Sequence, residues 1–331
     1  MLTLVTGSTG YLGNELVRAL VAEGRPVRAL VRSQRSAERI ADTGAEIMLG
    51  DVTVPDTLPP ALAGVSRVYH LAGHVGHRAK DEPLLHEVNV TGSANLLAAA
   101  RNANVERIIY TSSVAAMGPA GNPSHPRSEA HFLLDGDDGR GDFRYARSKA
   151  LGEEHALRAA ADGLDVVVVN PGFVLGPGDV YRVSSWPVEE YMRGLLRFTV
   201  RGGLSYVDAR DVVAGMLLAE QGGKRGERYI LTAPDGNRSY PELFGVVGEV
   251  SGKRRRQIGL PVGVLAPPLK LARILHLSLV PLDEAELRSG AYWWYTKPDK
   301  AMAELGFSTR PFEETVADTV AWLKADGYHR H

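Results

Sequence analysis

The feature that most constrains this chain is its first turn. A strand-length apolar run, Leu2-Thr3-Leu4-Val5-Thr6, passes directly into Gly7-Ser8-Thr9-Gly10-Tyr11-Leu12-Gly13. Three glycines at a spacing of three between a strand and a helix require backbone that side chains would obstruct, in conformations that glycine tolerates. Further apolar runs follow: "VRALVR", "EIMLGD", "RVYHLAG", "RIIYTSS" and "DVVVVNPG", each rich in Val, Ile or Leu and ending in small or polar residues. Such runs read as buried parallel strands. Amphipathic segments such as "GNELVRALVAEG" and "NVTGSANLLAAARNAN" lie between them, so strand and helix alternate as in a doubly wound α/β sheet.

That alternation covers residues 1–175. After Pro177 the pattern turns to aromatic-rich helices and loops. The expected division is a dinucleotide-binding domain at 1–175, with 204–232 returning to it, and a smaller, mostly helical substrate lobe formed by 176–203 and 233–331. A chain of 331 residues has the length for two such units.

The 38 basic and 39 acidic side chains nearly cancel, so no global field attracts nucleic acid or an anionic membrane. Cysteine is absent, which excludes disulfides, thiolate metal sites and thiol catalysis and suits a reducing cytoplasm. The first residues carry no basic region and no long apolar core, so no secretory leader and a cytoplasmic location are expected. The stretch from Leu260 to Leu282 is apolar. It is interrupted by Pro261, Pro267, Pro268 and Pro281 and by Lys270, Arg273 and His276, which argues against membrane insertion.

At the first strand-to-helix junction, Gly7, Gly10 and Gly13 would let a pyrophosphate approach the amides of a helix N-terminus, where the helix dipole favours anions. The second strand ends "ALVRSQRS", with Arg32 where an acid would otherwise receive the adenosine ribose, and with Ser33 and Arg35 beside it. An arginine pairs with a 2′-phosphate, so NADP(H) is expected in preference to NAD(H). Asp51 and Val52 follow the third strand and are placed for the adenine edge. Leu71, Ala72 and Gly73 are expected to pass beneath the phosphates and ribose.

Residues 143–149 read "FRYARSK", and Tyr145 and Lys149 share one helix face at i and i+4. A phenol near pKa 10 exchanges protons poorly at neutral pH, and an adjacent ammonium favours its phenolate. Ser112 and Ser113 end the strand "RIIYTSS", at the carboxyl edge that lines the ligand crevice of a parallel sheet. This Ser, Tyr and Lys set, together with "TGSTGYLG", "HLAG", "YARSK", "NPGFVLGP" and "YVDARDVV", resembles the extended short-chain dehydrogenase/reductase family over most of the chain.

The resemblance implies a Rossmann-type fold, with Ser113 as the catalytic serine, Tyr145 as proton donor and Lys149 as its partner. It implies that Pro171, Gly172, Phe173 and Val174 pack against the nicotinamide, and that Thr9, Tyr11, Leu12 and Thr111 join the cofactor set. Asn89 reads equally as a helix-start residue and as part of a catalytic relay. Arg32, Asn170 and the lack of an acid in "SSVAAMGPAG" depart from sugar-nucleotide epimerases and dehydratases. They lean toward dihydroflavonol-reductase-like and hydroxysteroid-dehydrogenase-like members, which reduce ketones or aldehydes with NADPH.

Substrate contacts are expected from His74, Met117, Phe143 and Trp186. Some of Tyr181, Tyr191, Met192, Phe198 and the "YWWY" at 292–295 belong to the pocket and the rest to the lobe core. His74 and His77 read as pocket or loop residues rather than metal ligands. Two other readings stand beside the reductase: a sugar-nucleotide epimerase or dehydratase, and a non-catalytic NADP-sensing regulator. The helices near Asn89 and Tyr145, with Ala98, Ala99, Ala100, Ala150 and Gly152, imply a homodimer by resemblance.

Overall fold

The structure is a computed structural model that describes residues 1–133, 143–267 and 284–327. Six strands come first: β1 (Leu2–Thr6), β2 (Val27–Val31), β3 (Glu46–Leu49), β4 (Val65–His70), β5 (Arg107–Thr111) and β6 (Val166–Pro171). They are followed by β7 (Phe173–Leu175), β8 (Phe198–Val200), β9 (Gly203–Asp208), β10 (Arg228–Leu231), β11 (Asn237–Ser239), β12 (Ile258–Leu260) and β13 (Trp293–Trp294).

The main sheet has seven strands in the order β10-β6-β5-β4-β1-β2-β3, and every neighbouring pair is parallel. The order reverses between β1 and β4. A reversal of this kind opens a crevice beyond the carboxyl ends of the strands. β6 shows why the runs of Val had to be interior: all six of its residues are buried, as a central strand covered on both faces requires.

Helices cover both faces. On one side Leu4, Leu58, Val68, Leu96 and Ile108 pack with the helices Gly92–Asn102 and Arg144–Ala161. On the other, Val5, Leu16, Val17, Val167 and Met216 pack with the helices Tyr11–Ala22 and Ala209–Gly222. Alanine and glycine on the helix Arg144–Ala161 permit close approach. A Cβ on Gly152 would stand 2.2 Å from the Asn89 carbonyl oxygen and 2.5 Å from the Tyr110 hydroxyl.

The chain beyond β7 builds a second layer. β9 is the hub of a smaller sheet, pairing with β7, β11 and β13, while β10 joins the main sheet at its edge beside β6. The lobe core gathers Val188, Tyr191, Leu243, Phe244, Phe312 and Val316. Among the described residues no helix is long and apolar enough to cross a membrane. The segment 268–283, which carries most of the apolar stretch noted above, lies outside the described residues.

Candidate active site

The glycine turn fits a pyrophosphate. Gly7 has φ +68°, and a Cβ there would lie 2.6 Å from the Leu71 carbonyl carbon, while one on Gly13 would lie 2.1 Å from the Gly7 oxygen. The helix Tyr11–Ala22 starts at Gly10 with no side chain capping its amides and no acid in its first turn. That leaves free N–H donors at the positive end of a 12-residue helix. Gly7, Gly10, Tyr11, Leu12, Gly13, Leu71 and Gly73 all line one cavity of about 810 Å³.

The loop after β4 is held from beneath. Thr6 Oγ1 accepts the Ala72 N–H at 3.1 Å, which leaves its own proton to donate to His70 Nδ1 at 2.8 Å. Burial pushes His70 down to about 3, so the ring is neutral, and Nε2–H is then the donor to Ser93 Oγ at 3.2 Å. Ser93 in turn donates to the Asn89 carbonyl oxygen at 2.7 Å. Asn89 itself brackets His74, accepting its N–H at 2.7 Å and donating to its carbonyl oxygen at 2.9 Å, and also donates to Ser148 Oγ at 2.9 Å. It stands inside the π-helical turn His86–Thr91 rather than at a helix start.

Ser113, Tyr145 and Lys149 converge on the same cavity wall. Ser113, unlike Ser112, acts on the Tyr145 hydroxyl as a polar neighbour that favours its ionised form. Ser112 Oγ is buried with no partner among the described residues. Burial pushes Tyr145 above its ordinary value, and the neighbouring Ser113 side chain opposes that rise. Lys149 Nζ donates to the Thr111 carbonyl oxygen at 2.8 Å. Desolvation lowers it to about 8, while the Glu153 carboxylate one turn further on favours its charge.

A buried network that sequence reading missed supports this corner. Asn170, at the end of β6, donates to the Ser113 carbonyl oxygen at 3.1 Å and to Glu153 Oε2 at 2.7 Å. Glu153 is fully buried and pairs with Arg228 of β10 at 2.5 Å. Arg228 also donates to the carbonyl oxygens of Glu129 and His131, at 2.8 and 2.9 Å. Glu153 follows Lys149 at helical spacing, which was the one available signal. Its charge partner comes from a strand far along the chain.

Of the other expected positions, Thr111, His74, Phe143, Pro171, Gly172, Val174 and Trp186 line the cavity, as do Phe173, Tyr181, Phe198 and Trp294. Phe143 meets the aromatic tail directly, edge-on to Tyr292 and Trp294 at 5.0 and 5.2 Å between centroids. Met117 is instead buried with Val114 and Ile230, outside the wall. Tyr191 and Met192 belong to the lobe core.

Thr9, Arg32, Asp51, Val52 and Ala72 do not line the cavity. Arg32 is exposed just beyond β2, and Asp51 closes a local turn by accepting the Thr53 N–H at 2.9 Å. Val52 is core, and its carbonyl oxygen accepts from Asn95 at 3.0 Å. Ala100, Ala150 and Gly152 face the interior of their own chain, so they offer no surface to a second copy.

A glycine turn at the switch point of a parallel sheet, with Ser, Tyr and Lys beside it, defines an oxidoreductase-type site served by a nicotinamide dinucleotide. The family model described as "NAD dependent epimerase/dehydratase family" matches residues 3–231, and the chain belongs to that family. Within it the chain is an extended short-chain dehydrogenase/reductase of the dihydroflavonol-reductase-like branch.

It is 33% identical to a Synechocystis sp. protein named for dihydroflavonol 4-reductase, over 98% of this chain and 95% of that one. It is 34% identical to the "4-hydroxy-2-methyl-3-oxo-4-farnesyl-3,4-dihydroquinoline-1-oxide ketoreductase" of Stigmatella aurantiaca, over 94% and 92% of the two chains. Among solved structures, that of gox2253 superposes with a TM-score of 0.84 at 32% identity and covers 99% of both chains.

Proposed function

We propose that this chain is an NADPH-dependent reductase of a ketone or aldehyde, or the corresponding alcohol dehydrogenase, acting on a fairly apolar small molecule. The observation that carries the reading is that Ser113, Tyr145 and Lys149 stand together in the wall of a cavity also lined by Phe143, Trp186, Phe198 and Trp294. When bound, NADPH supplies the hydride.

The chain's own groups manage the oxygen and its proton. Ser113 Oγ holds the carbonyl oxygen, and Tyr145 beside it protonates that oxygen as negative charge develops. Lys149 stabilises the tyrosinate that remains. Its hydrogen bond to Thr111 fixes the ammonium on the β5 side of the helix. Arg32, exposed beyond β2 with no ion pair to the described residues, is free to meet a 2′-phosphate. The names of the two relatives above support a ketone as substrate class.

The test follows consumption of NADPH and of NADH at the nicotinamide absorbance with aryl ketones, diketones and hydroxysteroid ketones. Reduction with NADPH preferred is the expected result. NADP(H) binding with no net consumption across the panel would instead support an epimerase that recycles its cofactor. Tyr145→Phe separates catalysis from sensing, because it should abolish turnover and leave cofactor affinity intact.

A further inference from the structure

We infer that the cavity contains a second polar anchor, the Tyr206 hydroxyl with Tyr240 and Tyr295 beside it, which receives a hydroxyl or carbonyl oxygen of the substrate remote from the reacting carbonyl. The inference rests on the reductase reading for which carbonyl reacts, and adds that the substrate carries two oxygen functions on an apolar body.

Tyr206 belongs to β9 and lines the cavity. Its residue is 1% exposed, and its hydroxyl has no hydrogen-bond partner among the described residues. The ring is fixed, edge-on to Phe173 at 5.5 Å and tilted against Phe312 at 5.5 Å between centroids, so the hydroxyl has a defined place. Tyr240 lines the cavity too. Its hydroxyl stands 3.2 Å from where a Cβ on Gly290 would be, and Gly290 is part of the same wall.

The tyrosines that serve only as structure look different. Tyr191, in the lobe core, accepts the Arg255 N–H at 3.0 Å and donates to the Lys253 carbonyl oxygen at 3.2 Å. Tyr69 donates to Glu220 at 2.9 Å, and Tyr229 to Glu304 at 3.1 Å. Among the described residues the buried tyrosine hydroxyls without a partner are Tyr11 and Tyr206, and both line the cavity. Tyr11 stands at the glycine turn. Tyr206 stands on the lobe side, where Leu204, Phe244 and Trp294 make the wall apolar.

Burial, reinforced by the Tyr240 and Tyr295 hydroxyls, holds Tyr206 well above its ordinary value, so it stays a neutral donor and acceptor across the working pH range. The hydroxyl is already out of reach of bulk water, so a hydrocarbon against it leaves it unpaired. An oxygen at the same point would satisfy it. Sites of this construction discriminate strongly against analogues that lack the partner group.

The test uses 4-phenylcyclohexanone and its analogues hydroxylated at each ring position, as substrates with NADPH, and the corresponding cyclohexanols as ligands with NADP⁺ by calorimetry. The wild-type protein should favour at least one hydroxylated analogue over the parent by about tenfold or more, mainly through KM and in binding alike. Tyr206→Phe should bring that ratio close to one while the parent ketone keeps its kcat. An unchanged ratio in Tyr206→Phe, an equal loss for parent and analogues, or binding that ignores the hydroxyl in the wild type would each overturn the anchor. Should the cyclohexanols bind with the expected preference and lose it in Tyr206→Phe while no ketone is reduced, the anchor stands and the reductase reading fails.

Discussion

The ammonium of Lys149 is hydrogen-bonded at 2.8 Å to the carbonyl oxygen of Thr111, two residues before Ser113 on the same chain segment. A single bond therefore ties the helix that carries Tyr145 to the strand that leads into Ser113. The relative placement of the two hydroxyls is set by backbone as well as by side-chain packing.

Lys149 also gives the fold a pH dependence with a definite sign. Its value falls from 10.5 to about 8 because burial disfavours the charged form. Between those two values the unfolded chain binds more protons than the folded one, so this group makes stability rise with pH through that window. The contribution is full above 10.5 and is lost as pH falls through about 8. Urea unfolding at pH 7.5, 9 and 10 should show the rise in the wild type, and Lys149→Met should remove this part of it.

Arg32→Glu should reverse the cofactor preference. If Arg32 meets the 2′-phosphate as proposed, replacing it by an anion should raise the KM for NADPH by about 10- to 100-fold, with little change for NADH. Steady-state kinetics with both dinucleotides checks this, and equal changes for the two would remove Arg32 from the phosphate site.

The buried pair Glu153 and Arg228 should be costly to break singly. Glu153→Leu leaves a buried guanidinium without its carboxylate and should destabilise the chain by about 3–5 kcal/mol. Glu153→Leu combined with Arg228→Met should recover much of that loss in chemical denaturation. The double variant should still turn over more slowly than wild type, because Asn170 loses one of the two acceptors that orient it beneath Ser113.

Two glycines make a matched comparison. Gly13→Ala forces a Cβ to within 2.1 Å of the Gly7 oxygen and should abolish NADPH binding in a fluorescence titration. Gly245→Ala, in the helix Tyr240–Ser251 with nothing within 4 Å of the new methyl, should bind NADPH normally and be neutral or up to about 1 kcal/mol more stable.

What the sequence showed best was what short spacings encode. The strand-helix alternation, the glycine turn and the Tyr145 and Lys149 pair each depend on residues within one or two turns of each other, and the parallel sheet followed from runs of Val and Ile. Asn170 read as a departure from a family pattern, and in the structure it holds Ser113 and Glu153 together. The third member of that network, Arg228, arrives from another strand, and no local pattern announces such a pairing. Met117 misled for a related reason. Its nearness to Ser113 in the chain carries no information about side-chain direction in the short 3-10 turn Val114–Met117, which points it into the core. The aromatics divided in the same way, since Tyr191 and Trp186 share a helix, yet Tyr191 is buried within the lobe core while Trp186, packed against that core, also reaches the cavity.

The place of β10 at the edge of the main sheet bears on how the protein is made. Arg228 is contributed by the last strand to enter that sheet, and it neutralises a carboxylate buried one turn from Lys149. A nascent chain that stops short of β10 therefore holds the glycine turn and the Tyr145 helix while Glu153 still lacks its counter-charge. Synthesis reaches a catalytically ordered corner only after β10 has emerged and docked, so ribosome-bound intermediates of this length would carry dinucleotide sequence motifs without a finished active site.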